Sequence, residues 1–357
     1  MFHRPGAYRA AVLAGLALLG SLSPPAFAVD EIGEIDDTPF IDDSPRERNV
    51  EYPDWFKISF LDLRDDLADA RAEGKGLIVY FGQKHCAYCE ALMKVNFGLE
   101  DITRYTRDHF DVVGIDIWGS REVVTLDGQT VQERDLAVRE KTNFTPSMIF
   151  YDSQGHEAFR MTGYYPPYKF RALLEYVVED FHNHEPFRDY LARADPPPRF
   201  DEAAMNGEDY FRRPPYALDR TRFPASQPLA VFFEQGSCHA CDILHTGPLR
   251  EPETRTLLQG FETVQLDMWS DTPVLTPDGQ RLKTREWARK LDIHFAPTIV
   301  FFDEHGKEII RIDAVTRLYR LQGVLEYVAL KGYLEAPTYQ RWRQMQRLPE
   351  VPPPPDI

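Results

Sequence analysis

Positive charge, cysteine and long apolar runs are all scarce in this 357-residue chain. Its 41 lysines and arginines are outnumbered by 57 aspartates and glutamates, and the resulting net charge of −16 argues against nucleic-acid binding. No stretch after residue 28 approaches the roughly 20 apolar residues that a membrane-spanning helix needs. A hydrophobic content of 43% and an aromatic content of 13% nevertheless predict a globular protein with packed cores.

The first 28 residues have the order of a secretory signal peptide. Arg4 and Arg9 precede an apolar run over residues 10–22, and Ala26-Phe27-Ala28 has the form of a cleavage site. We expect cleavage near Ala28 and a soluble product that is periplasmic or otherwise exported; an uncleaved anchor is the alternative. Acidic residues crowd the following segment, 29–51, which we interpret as a solvated, flexible leader.

All four cysteines lie in two Cys-x-x-Cys pairs, Cys86 with Cys89 and Cys238 with Cys241. Export would place these pairs where disulfides form and persist. No cysteine is left for a lipid anchor or a structural staple.

The chain contains an internal repeat that includes both cysteine pairs. The apolar run at residues 77–81 before Cys86 matches the run at residues 229–233 before Cys238, 152 residues later, and beyond the cysteines the offset becomes 151. Each copy alternates short apolar strands with helices and has an Asp-Gly turn, a pattern typical of α/β folds. We predict two tandem α/β domains, each a central mixed β-sheet flanked by helices.

The repeat sets the expected domain boundaries. We predict a first domain over residues 52–184 and a second over 215–345, with a proline-rich linker at 185–214 and a proline-rich tail at 346–357. Proline chemistry predicts a stiff, mostly irregular linker that holds the domains apart, with a helix conceivable only around residues 186–194.

The cysteine pairs are the candidate catalytic residues. A strand followed by a helix that begins at the first cysteine places Cys86 and Cys238 at the positive end of a helix dipole, which stabilises a nucleophilic thiolate. Cys89 and Cys241 follow one helical turn later and can resolve a mixed disulfide. A purely structural disulfide closing so short a loop would remove little entropy from the unfolded chain.

Two other functions are compatible with these residues. Two thiolates beside a histidine suit zinc or Cu(I), and His85, His239 and His245 lie near the pairs, so a metal-delivery protein is the main alternative. A non-catalytic scaffold or chaperone is a third.

An x-Pro step recurs at the same distance from each pair, at Thr145-Pro146 and Ala296-Pro297, and precedes an apolar strand each time. A cis peptide there would turn backbone N–H and C=O groups outward to pair with a substrate strand. We therefore expect these four residues to form substrate-binding loops.

Together these motifs resemble those of the thioredoxin superfamily, whose redox motif and cis-proline match both halves. The closer likeness is to exported thioredoxin-like proteins with an insert before the cis-proline helix, here residues 123–130 and 274–282, a group that includes periplasmic thioredoxins of sulfur-oxidation systems. The resemblance implies tandem thioredoxin-like domains acting as a thiol–disulfide oxidoreductase. It implies no metal and no cofactor beyond the redox-active disulfides Cys86–Cys89 and Cys238–Cys241.

The sequence departs from cytoplasmic thioredoxins at the position six residues before the first cysteine. That family has a buried aspartate there that assists proton transfer at the resolving cysteine, whereas this chain has Tyr80 and Phe232. Glu90 and Asp242, which directly follow the resolving cysteines, are candidate substitutes or simply surface acids.

Two histidines adjoin the attacking cysteines and are predicted to tune the thiolates. His85 precedes Cys86, and His239 lies inside the second motif, where a protonated imidazole would make the second pair the more oxidising one. Expected partners are exported proteins or small molecules with thiols or disulfides, a membrane or exported redox partner, and no nucleic acid. No residue encodes the direction of electron flow, and an electron relay between the pairs would require the linker to let them meet.

Overall fold

The computed structural model describes residues 41–194 and 205–347. The predicted signal peptide, residues 29–40 of the leader, residues 195–204 of the linker and residues 348–357 of the tail lie outside the described residues. Within the two described ranges, no helix is long and apolar enough to cross a membrane.

The first domain is built around a four-stranded mixed sheet and a separate small hairpin. Its strands are β1 (Gly76–Gly82), β2 (Phe110–Asp116), β3 (Glu122–Val124), β4 (Thr130–Gln132), β5 (Ser147–Tyr151) and β6 (Glu157–Thr162). The sheet order is β2-β1-β5-β6, with β1 parallel to β2 and antiparallel to β5, while β3 and β4 pair with each other. All seven residues of β1 are buried, so its apolar run forms the centre of the sheet with both faces covered.

Helices flank this sheet. They are α1 (Leu63–Ala72), α2 (Ala87–Ala91), which continues as a π-helical turn over Leu92–Asn96, α3 (Glu100–His109), α4 (Glu133–Arg139), α5 (Pro167–Val178) and α6 (Phe187–Ala194).

The second domain repeats this order. Its strands are β7 (Tyr216–Ala217), β8 (Leu229–Glu234), β9 (Glu262–Asp267), β10 (Pro273–Leu275), β11 (Arg281–Lys283), β12 (Thr298–Phe302) and β13 (Glu308–Ile312). The main sheet has the order β13-β12-β8-β9, which matches that of the first domain, and β10 pairs with β11 and β7. The helices are α7 (His239–Thr246), α8 (Pro252–Leu258), α9 (Thr284–Lys290), α10 (Leu318–Ala329), α11 (Gly332–Glu335) and α12 (Tyr339–Arg347).

The two predicted inserts are the β3–β4 and β10–β11 hairpins. Each turns at an Asp-Gly pair, and Gly128 and Gly279 have φ values of +81° and +78°. Only glycine adopts this left-handed conformation without steric cost, which explains the Asp-Gly sequence in both copies.

Two segments outside the predicted domains are packed rather than solvated or irregular. Ile41, in the predicted leader, is 4% exposed and joins the core of the first domain. Phe187 and Tyr190 of α6, in the predicted linker, are buried in the same core. Apolar side chains spaced along these segments therefore attach them to the first domain.

The domains contact each other directly, contrary to the expectation that the linker holds them apart. Equivalent residues of the two copies meet: the N–H of Val315 donates to the carbonyl oxygen of Tyr164 at 3.2 Å, and Gly163 lies against Ala314. Contact between equivalent residues is what an approximate two-fold axis produces. The two domains therefore associate like the subunits of a symmetric dimer.

The interface exchanges aromatic residues between the two cores. Phe295 of the second domain belongs to the core cluster of the first, and its ring stacks on Tyr165 with centroids 6.2 Å apart. Phe144, its equivalent in the first domain, belongs to a core cluster of the second and contacts Tyr339 at 5.4 Å. Each phenylalanine lies two residues before an x-Pro proline, so each domain positions the other's proline loop.

We predict that Gly163→Ala weakens this interface. Gly163 has a φ of +86°, and an added Cβ would lie 2.6 Å from the Cβ of Ala314. Gly74 has a similar φ of +74° with nothing within 4 Å, so Gly74→Ala is a matched control for backbone strain alone. We expect Gly74→Ala to lower the free energy of unfolding by about 1 kcal/mol, and Gly163→Ala to lower it by about 1–3 kcal/mol more, because overpacking adds to strain.

Urea denaturation of the two full-length variants measures this difference. Equal losses in the two variants would show that Gly163 is not in a close interdomain contact.

Candidate functional site

Each cysteine pair lies where a central strand passes into a helix. Cys86 is the N-cap residue of α2, and its Sγ accepts a hydrogen bond from the backbone N–H of Cys89 at 3.0 Å. Cys238 caps α7 in the same way, with Cys241 N at 3.1 Å from its Sγ. The backbone amides of the first helical turn therefore point at the first sulfur of each pair.

Both pairs are disulfides in this structure, Cys86 with Cys89 and Cys238 with Cys241. The first cysteine of each pair is the more accessible: Cys86 and Cys238 are 5% and 8% exposed, against 0% and 1% for Cys89 and Cys241. An incoming thiolate therefore reaches Cys86 or Cys238 more readily than its partner.

The two x-Pro peptide bonds, Thr145–Pro146 and Ala296–Pro297, are both cis. The first loop touches its disulfide: Thr145 Oγ1 lies 3.3 Å and Thr145 O 3.5 Å from Cys86 Sγ. Ala296 has no hydroxyl and therefore cannot make the equivalent side-chain contact. Thr145 is 2% exposed, whereas Ala296 is half-buried, so the two loops differ in accessibility.

A tryptophan–glutamine pair supports each site. Trp118 Nε1 donates to Gln83 Oε1 at 2.8 Å, and Trp269 Nε1 donates to Gln235 Oε1 at the same distance. Gln83 Nε2 in turn donates to Thr145 Oγ1 at 2.8 Å, which fixes the hydroxyl beside Cys86.

The end of the predicted leader packs over the first site. The Asp43 carboxylate accepts hydrogen bonds from the hydroxyl of Tyr88 at 2.9 Å and from the backbone N–H groups of Arg320 and Tyr319 at 2.9 and 3.3 Å. Tyr88 lies between the first two cysteines in sequence, and burial raises the pKa of its phenol, which stays a neutral donor. The leader residue thus joins the first motif to α10 of the second domain.

Arg320 reaches the first site from the second domain. Its Nη2 donates to the carbonyl oxygen of Thr145 at 3.0 Å, and its guanidinium lies 3.5 Å from the centroid of the Tyr88 ring. The backbone carbonyl before the first cis-proline is therefore already paired within the chain.

The two predicted thiolate-tuning histidines have different surroundings. His85 is exposed, and its Nδ1 accepts a hydrogen bond from the backbone N–H of Arg48 at 3.1 Å, which leaves the ring proton on Nε2. His239 is an exposed side chain in the first turn of α7. The leader thus contacts the histidine beside Cys86.

A buried charged cluster joins β8 and α7, the strand and the helix on either side of Cys238. His245, one helical turn after Cys241, has its Nε2 3.1 Å from both carboxylate oxygens of Glu234 and its Nδ1 3.2 Å from Glu208. Glu234 is fully buried and also accepts a hydrogen bond from Gln265 at 2.9 Å. Burial alone would lower the pKa of His245, but hydrogen bonds and charges from the two glutamates raise it above 6.5.

Glu234 gives the second domain a buried carboxylate, although the aspartate that cytoplasmic thioredoxins have six residues before the first cysteine is missing. Phe232 occupies the position six residues before Cys238, but Glu234 lies two residues further along β8 and therefore on the same face of the strand. In the first domain the matching pair is Tyr80 and Gly82, where a Cβ on Gly82 would lie 2.3 Å from the Tyr80 hydroxyl. The second domain thus has a buried carboxylate on the strand that leads to its cysteine pair, two residues after the position of the family's aspartate.

Glu90 and Asp242, the other candidate substitutes, face outward partners. Glu90 accepts from Lys94 at 2.7 Å and lies 3.5 Å from Arg48, while exposed Asp242 accepts from Asn206 at 2.7 Å. Asp242 thus forms a surface pair, whereas Glu90 is half-buried between two cations.

Metal ligation was the main alternative for the cysteine pairs. In the described parts of the chain, no group of three or more His, Cys, Asp or Glu side chains is arranged to hold a metal ion. His245, one of the three histidines considered, is engaged by Glu234 and Glu208.

Several residues of the site were not identified from sequence. Gln83 and Gln235 follow the repeat offset of 152, and that regularity is the signal that could have revealed them. Asp43 gave no such signal because it lies outside the repeat, and it meets Arg320, 277 residues later, only through the domain interface.

Comparison with known proteins agrees with this architecture. The profile of the thioredoxin-like domain family matches residues 63–178 and 223–329, which together are more than half of the chain. A search of curated proteins finds no match.

Solved structures with similarity to the chain include three bacterial proteins. A thioredoxin-fold protein from Helicobacter pylori is 21% identical, with a TM-score of 0.31 over 38% of this chain and 90% of its own. A thioredoxin from Thermus thermophilus is 26% identical, with a TM-score of 0.28 over 35% and 90%. A disulphide isomerase from Xylella fastidiosa Temecula1 is 20% identical, with a TM-score of 0.23 over 38% and 95%.

The buried cluster generates a prediction on pH and stability. Because the folded-state pKa of His245 is raised above 6.5, its protonated form contributes stability fully below pH 6.5 and loses it as the pH rises through the folded pKa. We expect the free-energy difference between the wild type and His245→Gln to shrink between about pH 6 and pH 9.

Urea denaturation at several pH values tests this, with His305→Gln as the control because His305 is exposed on a turn. A difference between wild type and His245→Gln that stays constant over this range would contradict the assignment of a protonated His245.

Proposed function

Because this chain belongs to the thioredoxin-like domain family, we propose that it is an exported thiol–disulfide oxidoreductase with two active sites, Cys86–Cys89 and Cys238–Cys241. The observation that carries the proposal is the pairing, built twice, of a disulfide at a helix N-terminus with a cis-proline loop. A helix N-terminus stabilises the thiolate that this chemistry requires.

Exchange at either site follows from the accessibility of the sulfurs. In the reducing direction, the thiolate of Cys238 attacks a substrate disulfide, a mixed disulfide forms, and one substrate thiolate leaves. Cys241 then attacks the Cys238 sulfur, which restores the Cys238–Cys241 disulfide and releases the second substrate thiolate. The protein loses two electrons and the substrate gains two; the oxidising direction is the reverse.

The second site is the better suited to protein substrates. Ser237 and His239 beside Cys238 are exposed, and the adjoining loop residue Ala296 is half-buried. A backbone carbonyl that precedes a cis-proline and faces outward can pair with an extended peptide, as in β-strand addition. At the first site Arg320 occupies the corresponding carbonyl of Thr145.

The proposal includes export to the periplasm. There the chain exchanges disulfides with exported proteins or small thiols and with a membrane or exported redox partner. Two observations support export. The first 28 residues have basic residues, an apolar run and a cleavage-site sequence in the order of a signal peptide. All four cysteines are paired in disulfides, which persist in oxidising compartments.

Trapping of a protein substrate tests the second site. In a chain that also carries Cys86→Ser and Cys89→Ser, we expect Cys241→Ser to form a covalent adduct with insulin that dithiothreitol releases, because the mixed disulfide has no resolving thiol. The matched variant Cys238→Ser should form at most about a tenth as much, since Cys241 is only 1% exposed.

Non-reducing electrophoresis and intact mass measure the adduct. Equal adducts from the two variants would show that Cys238 is not the attacking residue, and no adduct from either would count against the redox function.

The single histidine inside the second motif gives a prediction about reduction potentials. His239 occupies the position of Ala87 in the first motif. We expect the second pair to have the higher reduction potential and His239→Ala to lower it by about 30 mV, a tenfold change in the equilibrium constant for two electrons. The converse variant, Ala87→His, should raise the potential of the first pair.

Equilibration with glutathione of full-length chains that retain one cysteine pair measures both potentials. A lower potential for the second pair than for the first would refute the prediction.

A further inference from the structure

A cavity of about 600 Å³ lies beside the first disulfide, a volume in the range of small-molecule sites. Five segments of the chain line it. They are leader residues 43–48, residues 83–88 with Cys86, Thr145 before the cis-proline, and helices α10 and α12 of the second domain. The cavity therefore exists only because the domains pack together.

Two arginines on the wall of this cavity are not paired with an acid in the described contacts. Four arginines and two acids line it: Arg46, Arg48, Arg320, Arg343, Asp43 and Glu47. Arg46 pairs with Asp42 at 3.2 Å and Arg48 with Glu90 at 3.5 Å, so Arg320 and Arg343 are the cations that a ligand would meet. Asp43 is occupied by the Tyr88 hydroxyl and two backbone N–H groups. Two such cations on a concave surface attract anions.

Arg320 is built into the wall with one donor unused. The residue is 8% exposed, and its Nη2 is bonded to the carbonyl oxygen of Thr145 at 3.0 Å. Its Nη1 is buried without a hydrogen-bond partner among the described residues. This Nη1 lies 3.4 Å from where a Cβ on Gly163 would be, outside the cavity lining, so Arg320 acts on an anion in the cavity through its charge.

Arg343 provides a second cation on the same wall. It is half-buried on α12, beside the ring of Tyr339, and its Nη1 would lie 2.4 Å from a Cβ on Gly323 of α10. Its guanidinium thus lies directly against the backbone of the adjacent helix, at a position where any side chain would collide with it.

The same packing excludes an extended peptide from the first site. The Thr145 carbonyl that would accept a substrate N–H is bonded to Arg320, and residues 43–48 lie across the cavity. What remains is a space of small-molecule size that includes Cys86.

We propose that the first site exchanges disulfides with a low-molecular-weight thiol that carries carboxylates, held by Arg320 and Arg343. The proposal rests on the redox function proposed above. The thiolate of Cys86 attacks the small disulfide RSSR, releases one RS⁻ and forms Cys86–SR. Cys89 then attacks the Cys86 sulfur, forms Cys86–Cys89 and releases the second RS⁻, so the protein gives two electrons to RSSR.

Three symmetric disulfides of similar size test the charge preference: dianionic 3,3′-dithiodipropionate, neutral bis(2-hydroxyethyl) disulfide and dicationic cystamine. The first-site chain carries Cys238→Ser and Cys241→Ser, and the second-site chain carries Cys86→Ser and Cys89→Ser. Oxidation of each reduced chain is followed by quenching with iodoacetamide and intact mass. Dividing the anion-to-cation rate ratio of the first site by that of the second cancels the intrinsic reactivity of the probes.

At low salt, we expect the anion-to-cation rate ratio of the first site to be about tenfold or more above that of the second, the effect of one or two charged hydrogen bonds. This difference should fall as salt is added. In the first-site chain, Arg320→Gln and Arg343→Gln should each lower the anion-to-cation ratio several-fold. Arg343 is only half-buried, so its variant tests the proposal even if Arg320→Gln fails to fold. Arg222→Gln, on an exposed arginine outside the cavity, should leave the ratio unchanged.

The two proposals fail in different ways. A quotient near one, with normal oxidation of the first site by the neutral disulfide, would overturn the charge-selective site and leave the redox function standing. No oxidation of the first site by any of the three probes would overturn both.

Discussion

Packing across the approximate two-fold axis determines the geometry of both disulfide sites. The residue two positions before each cis-proline, Phe144 or Phe295, is buried in the core of the opposite domain. Because that anchor is only two residues from the proline, the loop beside each disulfide is positioned by both domains at once. Neither site is complete within a single domain, so the tandem repeat is part of the site itself.

The same position in each repeat supplies a cation to the other domain's loop, but the two cations differ. Lys169 Nζ donates to the carbonyl oxygen of His294 at 2.7 Å beneath the ring of Phe295, and burial lowers its pKa well below 10.5. Arg320, 151 residues later, bonds the Thr145 carbonyl and still has donors left, because a guanidinium has five N–H groups and stays charged when buried. The lysine therefore only supports its loop, whereas the arginine also lines a cavity.

The fold and the cysteine sites could be predicted because their signals are local and repeated: an apolar strand, Cys-x-x-Cys and an x-Pro step at nearly fixed offsets. The closure of the first site could not, because Asp43 lies outside the repeat and meets Arg320 only after the domains pack. Asp43 in particular is one of nine acids in residues 29–51, a segment whose composition indicates a solvated leader. Ile41, which follows Phe40 between two pairs of aspartates, was the weak sign that this segment is anchored.

The strand beneath each disulfide shows how two similar sites acquire different chemistry. In β1 the ring of Tyr80 extends to the space above Gly82, and it shares a core cluster with Cys86 and Cys89. In β8 the residue equivalent to Tyr80 is Phe232, whose ring lacks the hydroxyl. The residue equivalent to Gly82 is Glu234, which carries a carboxylate. A buried carboxylate needs a partner, and the partner of Glu234 is His245, one turn beyond Cys241. A reciprocal change at two strand positions thus gives the strand before one disulfide a buried carboxylate paired with histidine, and the strand before the other a buried phenol.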